Sequence, residues 1–499
     1  MKAFMVLIFL IVVLAVFFRT FKYTESIRII ADNSRDVQVA TYAGDNLKFP
    51  LTGNFASAGP FFYGPWWYYF LEAVSFIPIG TLKFWYVTTA LSLFFIFLIF
   101  KLGQEIENKF LGILAALFAA VSPAQIQNSL AVWNPSITPL LVLLSLFFAV
   151  RSIKNAKFYN LFFVSFFTVL AFTIHFQNIL ILPIIPITMA IVYFKFRHRK
   201  KLSWPLLFLI IGAFIPLIPL IYFDMTNHWF NSRNFLIYLL VDQYKIWVPN
   251  RWLTYATIYW PQTVSYIIGG SGVLSFVLIF SICSLALIDL KKITKNTPLF
   301  LIFLTFFIEI VLFRYYRGER VLYLSYFSHP TVLILSAWAV YKIIRINRFI
   351  GFVFLLLIIV FTVNRVMFDI RSDAINLGEV EALKKDIYNT FPSSTFNIWE
   401  CSHQYGAPGH PLAYFIYEDG RESSSGINIS VCEDPGQRIE WELMTKTQLQ
   451  GKYKDGSHLF KNVSTEITYK DTVEWWQKSP PKKGQGNYWK FVIENRFGN

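Results

Sequence analysis

The sequence predicts a polytopic α-helical membrane protein with about eleven transmembrane helices, followed by a small soluble α+β domain. Charged residues make up 15% of the 499 residues, against ~25% in average soluble domains. Hydrophobic residues make up 55% and include 53 Phe, more apolar surface than a soluble fold of this size could bury. This composition excludes a disordered or ordinary cytosolic protein.

Long apolar runs provide the helices. Most of them approach the ~20 residues that a helix needs to cross a bilayer. The first run follows Lys2 and lacks an A-x-A cleavage site, so we interpret it as a retained anchor, with a signal peptide as the alternative. The runs span residues 3–18, 84–102, 111–130, 136–150, 157–174, 177–194, 202–223, 262–288, 298–313, 321–341 and 349–367.

Basic residues between the runs set the orientation, because cytoplasmic loops are enriched in Lys and Arg. They occupy every second connection only if residues 59–80 do not cross the membrane. We therefore predict an amphipathic or re-entrant juxtamembrane helix there on the outer face, with its Trp and Tyr at headgroup level. The amino terminus is then cytoplasmic, and the residues after 367 lie outside the plasma (inner) membrane. The basic residues are Arg151, Lys154, Lys157, Lys195, Arg197, Arg199, Lys200, Lys201, Lys291, Lys292, Lys295, Lys342, Arg345 and Arg348.

The composition changes after the last run, which predicts a transmembrane domain over residues 1–368 and an extracytoplasmic soluble domain over 369–499. The segments FNIWEC, AYFIYED and GINISVC favour strands, and GEVEALKKDIYNTF favours a helix. Cys401 and Cys432 could pair in an oxidising compartment or remain free thiols, and the sequence leaves both readings open.

Polar residues gather at the predicted outer ends of the spans. Asp32 and Asp36 flank Arg35, and the spacing places Asp32 on one helical face with Arg35 or Asp36. A carboxylate held there could take a proton from an acceptor hydroxyl, so both Asp residues are catalytic candidates. The alternative for Asp32 is a helix N-cap, and Asp36 could simply orient Arg35.

Arginines on the predicted outer side run against the positive-inside trend and favour a bound phosphate. Guanidinium groups bind phosphate bidentately and would stabilise it as a leaving group. The alternative for Arg314, Arg317 and Arg320 is snorkelling to lipid headgroups, and the alternative for Arg35 is pairing with the flanking acids. The candidate donor phosphate-binding residues are Arg35, Arg314, Arg317 and Arg320. Together with the carboxylates, they predict a lipid-phosphate-dependent group transfer on the outer face.

Other polar side chains at the same ends could line the substrate. The alternative for Tyr68 is an interface anchor, and that for Asn134 is a turn between two spans. The alternative for His175 is a buried histidine whose hydrogen bonds are satisfied within the protein. The residues that follow the seventh run could instead cap that span or solvate its loop. These substrate-lining candidates are Tyr68, Asn134, His175, Gln177, Asp224, His228 and Arg233.

The order of these motifs resembles the GT-C glycosyltransferases, closest to bacterial protein mannosyltransferases and aminoarabinose transferases. The similar segments are the acidic loop from Asp32 to Asp36, the Gly64-Pro65 juxtamembrane helix, SPAQIQNSLAVWNPSITPLL, IHFQNILILP, YFDMTNHWFNSRN and RGERVLYLSYFSHPTVLIL. They cover roughly residues 1–370. Two positions differ from the family pattern. Family loops often begin with an Asp-Glu pair, whereas Asn33 follows Asp32 here. Aminoarabinose-type members often have Lys before the juxtamembrane Pro, where this chain has Gly64.

This resemblance implies an inverting transfer of a sugar from a polyprenyl-phosphate donor, with Asp32 as the catalytic acidic residue. The acceptor would be a lipid, a glycan or a protein, and no nucleic acid takes part. The loop lacks a clear acidic trio, so we predict neither a metal nor another cofactor, with a divalent metal, which some GT-C relatives use, as the alternative. Two alternatives remain open. One is a transporter or lipid flippase, although the predicted spans contain few of the ionisable residues that such a protein needs. The other is a membrane-anchored binding protein that acts through its carboxyl-terminal domain.

Overall fold

The structure is a computed structural model that describes most residues up to Leu443. The chain folds into two compact units. We call Met1–Arg28, Leu82–Ile221 and Lys245–Asn376 the bundle unit, and Ile29–Thr81, Tyr222–Tyr244 and Leu377–Asn499 the second unit. The described residues are 2–28, 31–45, 47, 49–54, 56, 61–155, 157–196, 203–242, 250–316, 321–370, 376–400, 411–423, 425–432 and 440–443.

Helices dominate the described part of the chain. They are α1 (Lys2–Thr20), α2 (Tyr23–Ser26), α3 (Ala31–Asp45), α4 (Trp66–Ser75), α5 (Lys83–Ile106), α6 (Lys109–Val121), α7 (Pro123–Ser129), α8 (Thr138–Asn155), α9 (Tyr159–Ile174), α10 (Ile184–Phe196), α11 (Ser203–Phe214), α12 (Ile218–Thr226), α13 (Phe230–Ile237), α14 (Arg251–Thr254), α15 (Trp260–Ile267), α16 (Gly272–Ile288), α17 (Leu290–Lys295), α18 (Thr297–Tyr315), α19 (His329–Ile346), α20 (Arg348–Ile370), α21 (Leu377–Thr390) and α22 (Pro411–Glu418). Short 3₁₀ segments lie at Asn134–Ile137, Phe176–Ile181, Ile215–Leu217 and Leu322–Ser328, and π-helical turns at Tyr238–Asp242 and Tyr255–Tyr259.

The described residues contain seven helices that are long and apolar enough to cross a membrane, or nine if each bent pair counts as one span. Two shorter apolar helices cover Phe4–Thr20 and Tyr159–Ile174. Each predicted apolar run overlaps one of these helices or bent pairs, so the chain is a multi-pass membrane protein. The number of eleven crossings stays a prediction. The long spans are Lys83–Ile106, Asn134–Asn155, Phe176–Phe196, Trp204–Thr226, Thr297–Tyr315, Leu322–Ile346 and Arg348–Ile370.

The first bent pair joins α6 to α7 at an angle of 62°. Ser122 is extended, and its hydroxyl accepts a hydrogen bond from Gln125 N, so it caps α7 while Pro123 takes the first helical position. The buried Arg19 guanidinium donates to the carbonyl oxygens of Ala119 and Ala120 at 3.2 and 3.0 Å. These bonds satisfy helix-terminal carbonyls that the bend leaves without an intrahelical donor.

The second bent pair joins α15 to α16 at 98°. Gly269 and Gly270 lie between the two helices with φ angles of +98° and +64°, a region that favours glycine. A Cβ on Gly270 would lie 2.1 Å from the carbonyl oxygen of Phe361, so the backbones approach too closely for any side chain. The sharp turn therefore depends on glycine at this position.

Helix α4 corresponds to the predicted juxtamembrane helix within residues 59–80. Its ten residues extend about 15 Å, half the ~30 Å of a hydrocarbon core, so this helix is too short to cross a membrane. The side of the membrane on which it lies stays a prediction.

In the second unit, three strands follow α21: β1 (Phe396–Glu400), β2 (Ile427–Cys432) and β3 (Glu440–Leu443). β1 pairs in parallel with β2, and β2 pairs antiparallel with β3. The sequence predictions for α21, β1 and β2 are confirmed. The AYFIYED strand is wrong, because these residues belong to helix α22; a short apolar run does not distinguish a strand from a buried helix.

The second unit also contains residues far from the carboxyl terminus. Tyr417 of α22 donates a 2.6 Å hydrogen bond to Asp45 of α3, and the Tyr414 hydroxyl donates to the carbonyl of Thr81 at 2.8 Å. Residues 29–81 thus share a unit with the carboxyl-terminal elements. The predicted domain boundary at 368/369 stays a prediction.

Candidate functional site

The acidic motif lies at the start of α3. Asp32 is the second residue of that helix, and both of its predicted roles, catalytic base and helix N-cap, stay predictions. Asp36 follows one turn later on the same face and is fully buried. The side chains of Asp32 and Arg35 lie outside the described part of the structure.

The carboxylate of Asp36 is held by two neighbouring residues of α4. The indole N–H of Trp67 donates to its Oδ2 at 2.9 Å, and the Tyr68 hydroxyl donates to its Oδ1 at 3.3 Å. Trp67 and Tyr68 are both buried, so the prediction that these two rings anchor the chain at headgroup level is wrong. Their polar atoms stabilise a buried acid instead, which no spacing rule in the sequence indicates.

The segment before α4 reverses direction through backbone hydrogen bonds. Gly53 N donates to the Tyr63 carbonyl at 2.8 Å, and Tyr63 N donates to the Asn54 carbonyl at 3.0 Å. A Cβ on Gly53 would lie 2.4 Å from the backbone oxygen of Gly64. This close approach lies directly before Pro65, the residue that precedes the first residue of α4, Trp66.

Asp224, a predicted substrate-lining residue, caps the start of α13. Its carboxylate is buried and accepts hydrogen bonds from the backbone N–H groups of Asn231 and Ser232 at 2.7 and 3.0 Å, and from the Ser232 hydroxyl. Asn231 in turn accepts a 2.6 Å bond from Phe62 N. The acid thus fixes the turn between α12 and α13, a capping role that the sequence analysis left open.

His228 and Arg233 lie on that same turn and helix. Both are exposed, and His228 adopts a left-handed backbone conformation with a φ of +54°. Their proposed contact with substrate stays a prediction.

In the bundle unit, the structure brings two predicted residues together. The Asn134 amide is buried and donates to the Ile174 carbonyl at 2.7 Å, directly before His175. The buried His175 ring meets Tyr323 edge-on, with ring centroids 5.9 Å apart, and Trp133 meets the same tyrosine at 5.1 Å. These residues form an aromatic cluster at one end of the helices.

Gln177 is half-buried in the 3₁₀ segment after His175. Its neighbour Asn178 has the better-defined role, because its amide donates to the Ala171 carbonyl at 2.7 Å and to the Thr138 hydroxyl at 3.2 Å. Asn178 therefore ties the end of α9 to α8.

Arg314 lies in the last turn of the span α18, directly before its final residue Tyr315. Its guanidinium lies 4.8 Å from the centroid of the Trp252 ring and 5.0 Å from that of Tyr315, a cation–π arrangement. Arg251, which the sequence analysis did not single out, donates to the carbonyl oxygens of Arg314 and Tyr316 at 3.5 Å. The predicted phosphate-binding residues Arg317 and Arg320 lie outside the described residues.

A polar network around α7 also escaped the sequence analysis. Gln125 Nε2 lies 2.7 Å from His329 Nδ1, and both side chains are buried. The Tyr266 hydroxyl donates to Gln127 Oε1 at 2.6 Å, and Gln127 Nε2 donates to the Asp369 carboxylate at 3.1 Å. The only sequence signal is the pair of glutamines inside an apolar run, in SPAQIQN.

Glu72 of α4 is a second buried acid. Burial raises the pKa of its carboxyl group from 4.5 to about 7, and its Oε1 atom has no hydrogen-bond partner in the described structure. Among the described residues, no group of three or more His, Cys, Asp or Glu could hold a metal ion. Metal independence stays a prediction.

Comparison with known proteins gives structural matches only. No protein-family model matches the sequence, and no curated protein does. The ArnT structure from Cupriavidus metallidurans bound to undecaprenyl phosphate matches with a TM-score of 0.54 and 10% identity, over 85% of this chain and 92% of that one. ArnT is an aminoarabinose transferase of the GT-C superfamily. The chain has the GT-C fold.

A second GT-C protein supports this assignment. The apo oligosaccharyltransferase of Archaeoglobus fulgidus matches with a TM-score of 0.54 and 12% identity over 83% of this chain. Its complex with an inhibitory peptide and a dolichol-phosphate matches with a TM-score of 0.50 and 12% identity, over 86% of this chain and 69% of that one. The chain spans 64% of the apo oligosaccharyltransferase, less than two thirds of its length.

Proposed function

We propose that this protein is an inverting glycosyltransferase that moves a sugar from a polyprenyl-phosphate donor to an acceptor on the outer face of the plasma membrane. The observation that carries the proposal is the fold shared with ArnT, over most of both chains. That ArnT structure is bound to undecaprenyl phosphate, and the matching archaeal complex contains a dolichol-phosphate. A long-chain isoprenoid phosphate, the leaving group of the proposed reaction, is the ligand class common to both.

The proposed reaction begins when the Asp32 carboxylate takes the proton of an acceptor hydroxyl. The acceptor oxygen attacks the anomeric carbon from the face opposite the phosphate and inverts its configuration. The bond between that carbon and the phosphate oxygen breaks, and its electron pair leaves with the polyprenyl phosphate. Positive charge that stabilises the leaving phosphate would come from the candidate arginines Arg35, Arg314, Arg317 and Arg320.

Asp36 serves in this proposal as a positioning residue. Its two donors, Trp67 and Tyr68, fix α3 against α4, and Asp32 lies one helical turn away on α3. A base on a fixed helix keeps its orientation toward the acceptor, which is the requirement for efficient proton transfer.

Labelled-sugar transfer tests the proposal. Protein reconstituted in vesicles would receive a panel of polyprenyl-phosphate sugars and membrane acceptors, with Asp32→Asn as the variant and Asp45→Asn, at the other end of α3, as its control. We expect Asp32→Asn to lower the rate by about 10²–10⁴-fold, the usual contribution of a general base, and Asp45→Asn to stay near wild type. Normal turnover by Asp32→Asn contradicts the base assignment, and no transfer from any donor contradicts the function.

A further inference from the structure

Six basic side chains meet at one end of the bundle unit, where the helices α16 and α19 end and α18 and α20 begin. Two segments carry them, residues 286–300 and 338–352, and the structure describes both throughout. Asp289 is the only acidic residue in these two segments. We call the six residues the basic edge: Lys291, Lys292, Lys295, Lys342, Arg345 and Arg348.

Asp289 joins the two segments of the basic edge through salt bridges. Its Oδ1 lies 2.8 Å from Lys292 Nζ on α17, and its Oδ2 lies 2.6 Å from Lys342 Nζ on α19. A single carboxylate balances the charge of only one of these two ammonium groups. Each ammonium group also has three N–H donors, so the pair can bind further acceptors.

Two arginines continue the basic edge across the turn between α19 and α20. Arg345 lies one helical turn after Lys342 on α19. One residue separates the end of α19 from Arg348, the first residue of α20. The two helices pack tightly here, since a Cβ on Gly351 would lie 2.5 Å from the Ile344 backbone. Both arginines are exposed and belong to the same end of the bundle unit as Lys342.

Most of the basic edge has no counter-charge within the described part of the chain. Lys291 and Lys295 lie one turn apart on α17, and like charges at this spacing destabilise a helix. The nearby carboxylate of Glu107, which follows α5, accepts a hydrogen bond from Asn296 at 3.2 Å. Four members of the basic edge form no salt bridge with a described residue: Lys291, Lys295, Arg345 and Arg348.

Large apolar side chains flank the basic edge. Leu287 and Ile288, at the end of α16, are 76% and 78% exposed, and Ile346 and Phe349, at the turn between α19 and α20, are 75% and 78% exposed. One span ends at Ile346 and the next begins two residues later, so this turn lies where the chain leaves the membrane. Dissolved phosphate would complement only the cations. A phospholipid complements both features, because its acyl chains cover apolar side chains while its phosphate lies at the level of Lys and Arg.

We propose that the basic edge is a binding site for an anionic phospholipid such as phosphatidylglycerol. The guanidinium groups of Arg345 and Arg348 bind the headgroup phosphate bidentately, and the two ammonium groups that Asp289 holds in place donate to the same headgroup. The acyl chains pack against the flanking apolar side chains. An anionic lipid is preferred to a zwitterionic one because six basic residues stand against one acidic residue.

This site is separate from the donor site of the proposed reaction. About 26 Å of helix α18 separates Thr297, at the end that carries the basic edge, from the candidate donor-binding residue Arg314. The inference therefore depends neither on the proposed transfer nor on the side of the membrane to which the basic edge belongs.

Native mass spectrometry of the full-length protein in detergent tests the inference by titration with dioleoyl phosphatidylglycerol. The double variant Arg345→Gln/Arg348→Gln removes two exposed cations that form no salt bridge with a described residue. Arg151→Gln/Lys157→Gln, at the link between α8 and α9, changes the net charge equally and provides the control. We expect the Kd to rise about 25-fold in the first variant, since each basic residue near an anionic surface contributes about fivefold, and to stay near wild type in the control.

Two further ligands separate the possible occupants. Dioleoyl phosphatidylcholine has the same acyl chains and a neutral headgroup, and inorganic phosphate has no acyl chain; we expect both to bind more weakly than phosphatidylglycerol. Equal affinity for either ligand would overturn the proposal, and so would an equal loss of affinity in the control variant, which would assign binding to overall charge. If the arginine variant folds poorly, Lys291→Gln/Lys295→Gln on the exposed face of α17 should show the same loss, and unchanged binding there would also contradict the site.

Discussion

The indole N–H of Trp67 donates a 2.9 Å hydrogen bond to Asp36 Oδ2, and both side chains are buried. A carboxylate without water depends on such donors, because an unpaired buried charge is costly. The bond therefore joins the helix that carries the candidate base to the short helix α4. It is both a stability element and a means of fixing the acidic motif.

Replacing Trp67 with Phe should destabilise the protein, because it removes this donor while it keeps most of the aromatic volume. We expect a loss of about 1.5–3 kcal/mol, the usual value for a hydrogen bond to a charged group. Thermal or denaturant unfolding in detergent measures the change. The neighbouring Trp66→Phe is the matched control, since Trp66 is only half-buried, and an equal effect of both substitutions would argue against the role of the bond.

Stability should depend on the ionisation of Glu72. Burial raises the pKa of this carboxyl group to about 7 in the folded protein, from 4.5 in the unfolded chain. The folded state therefore holds the proton more tightly, so the stabilisation is complete below pH 4.5 and is lost as the pH rises through about 7.

Glu72→Gln, which is neutral at every pH, should flatten this part of the pH profile. Melting temperatures between pH 4.5 and 8 provide the measurement, and Glu381→Gln on α21 is the control. An unchanged slope in Glu72→Gln would show that Glu72 does not titrate in this window.

Arg19 should stabilise the bend between α6 and α7. Its guanidinium donates to the Ala119 and Ala120 carbonyls and, at 2.9 Å, to the Ser92 hydroxyl. Arg19→Met keeps an extended apolar chain but leaves these acceptors without their donors, so we expect a loss of at least about 1.5 kcal/mol in unfolding experiments. Arg151→Met, at a half-buried position near the end of α8, should change stability less.

Gly53→Ala should disturb the segment that leads into α4. The added Cβ would lie 2.4 Å from the Gly64 oxygen, a distance that requires the backbone to move. Gly272→Ala provides the control, since a Cβ there meets nothing within 4 Å. We expect a lower melting temperature for Gly53→Ala only, and equal melting temperatures for both variants would contradict the close approach.

The sequence predicted the membrane helices well for a physical reason. A helix in lipid must satisfy its own backbone hydrogen bonds, so a long apolar run has few alternatives to a span. Even so, hydropathy ended the first run at residue 18, whereas α1 continues to Thr20 and includes the buried Arg19. A charged residue at the end of an apolar run suggests the membrane interface. Only the contacts of Arg19 with other helices show that its side chain is buried within the protein.

The candidate site was less predictable, because its contacts join distant parts of the chain. The sequence makes Asp36 a candidate, but Trp67 lies 31 residues away and its position in an aromatic cluster predicts an interface anchor. Gln125 and His329 are 204 residues apart, and neither belongs to a motif that specifies the other. Periodicity and spacing report neighbours along one helix, and these pairs depend on packing between helices.

The anomeric configuration of the transferred sugar tests the central claim most directly. Wild-type protein in vesicles would receive a polyprenyl-phosphate sugar of known configuration, and NMR of the product together with quantification of released polyprenyl phosphate would follow the reaction. The account predicts an inverted anomeric centre and one polyprenyl phosphate released for each sugar transferred, with both signals lost in Asp32→Asn. Retention of configuration, or transfer that is independent of Asp32, would contradict it.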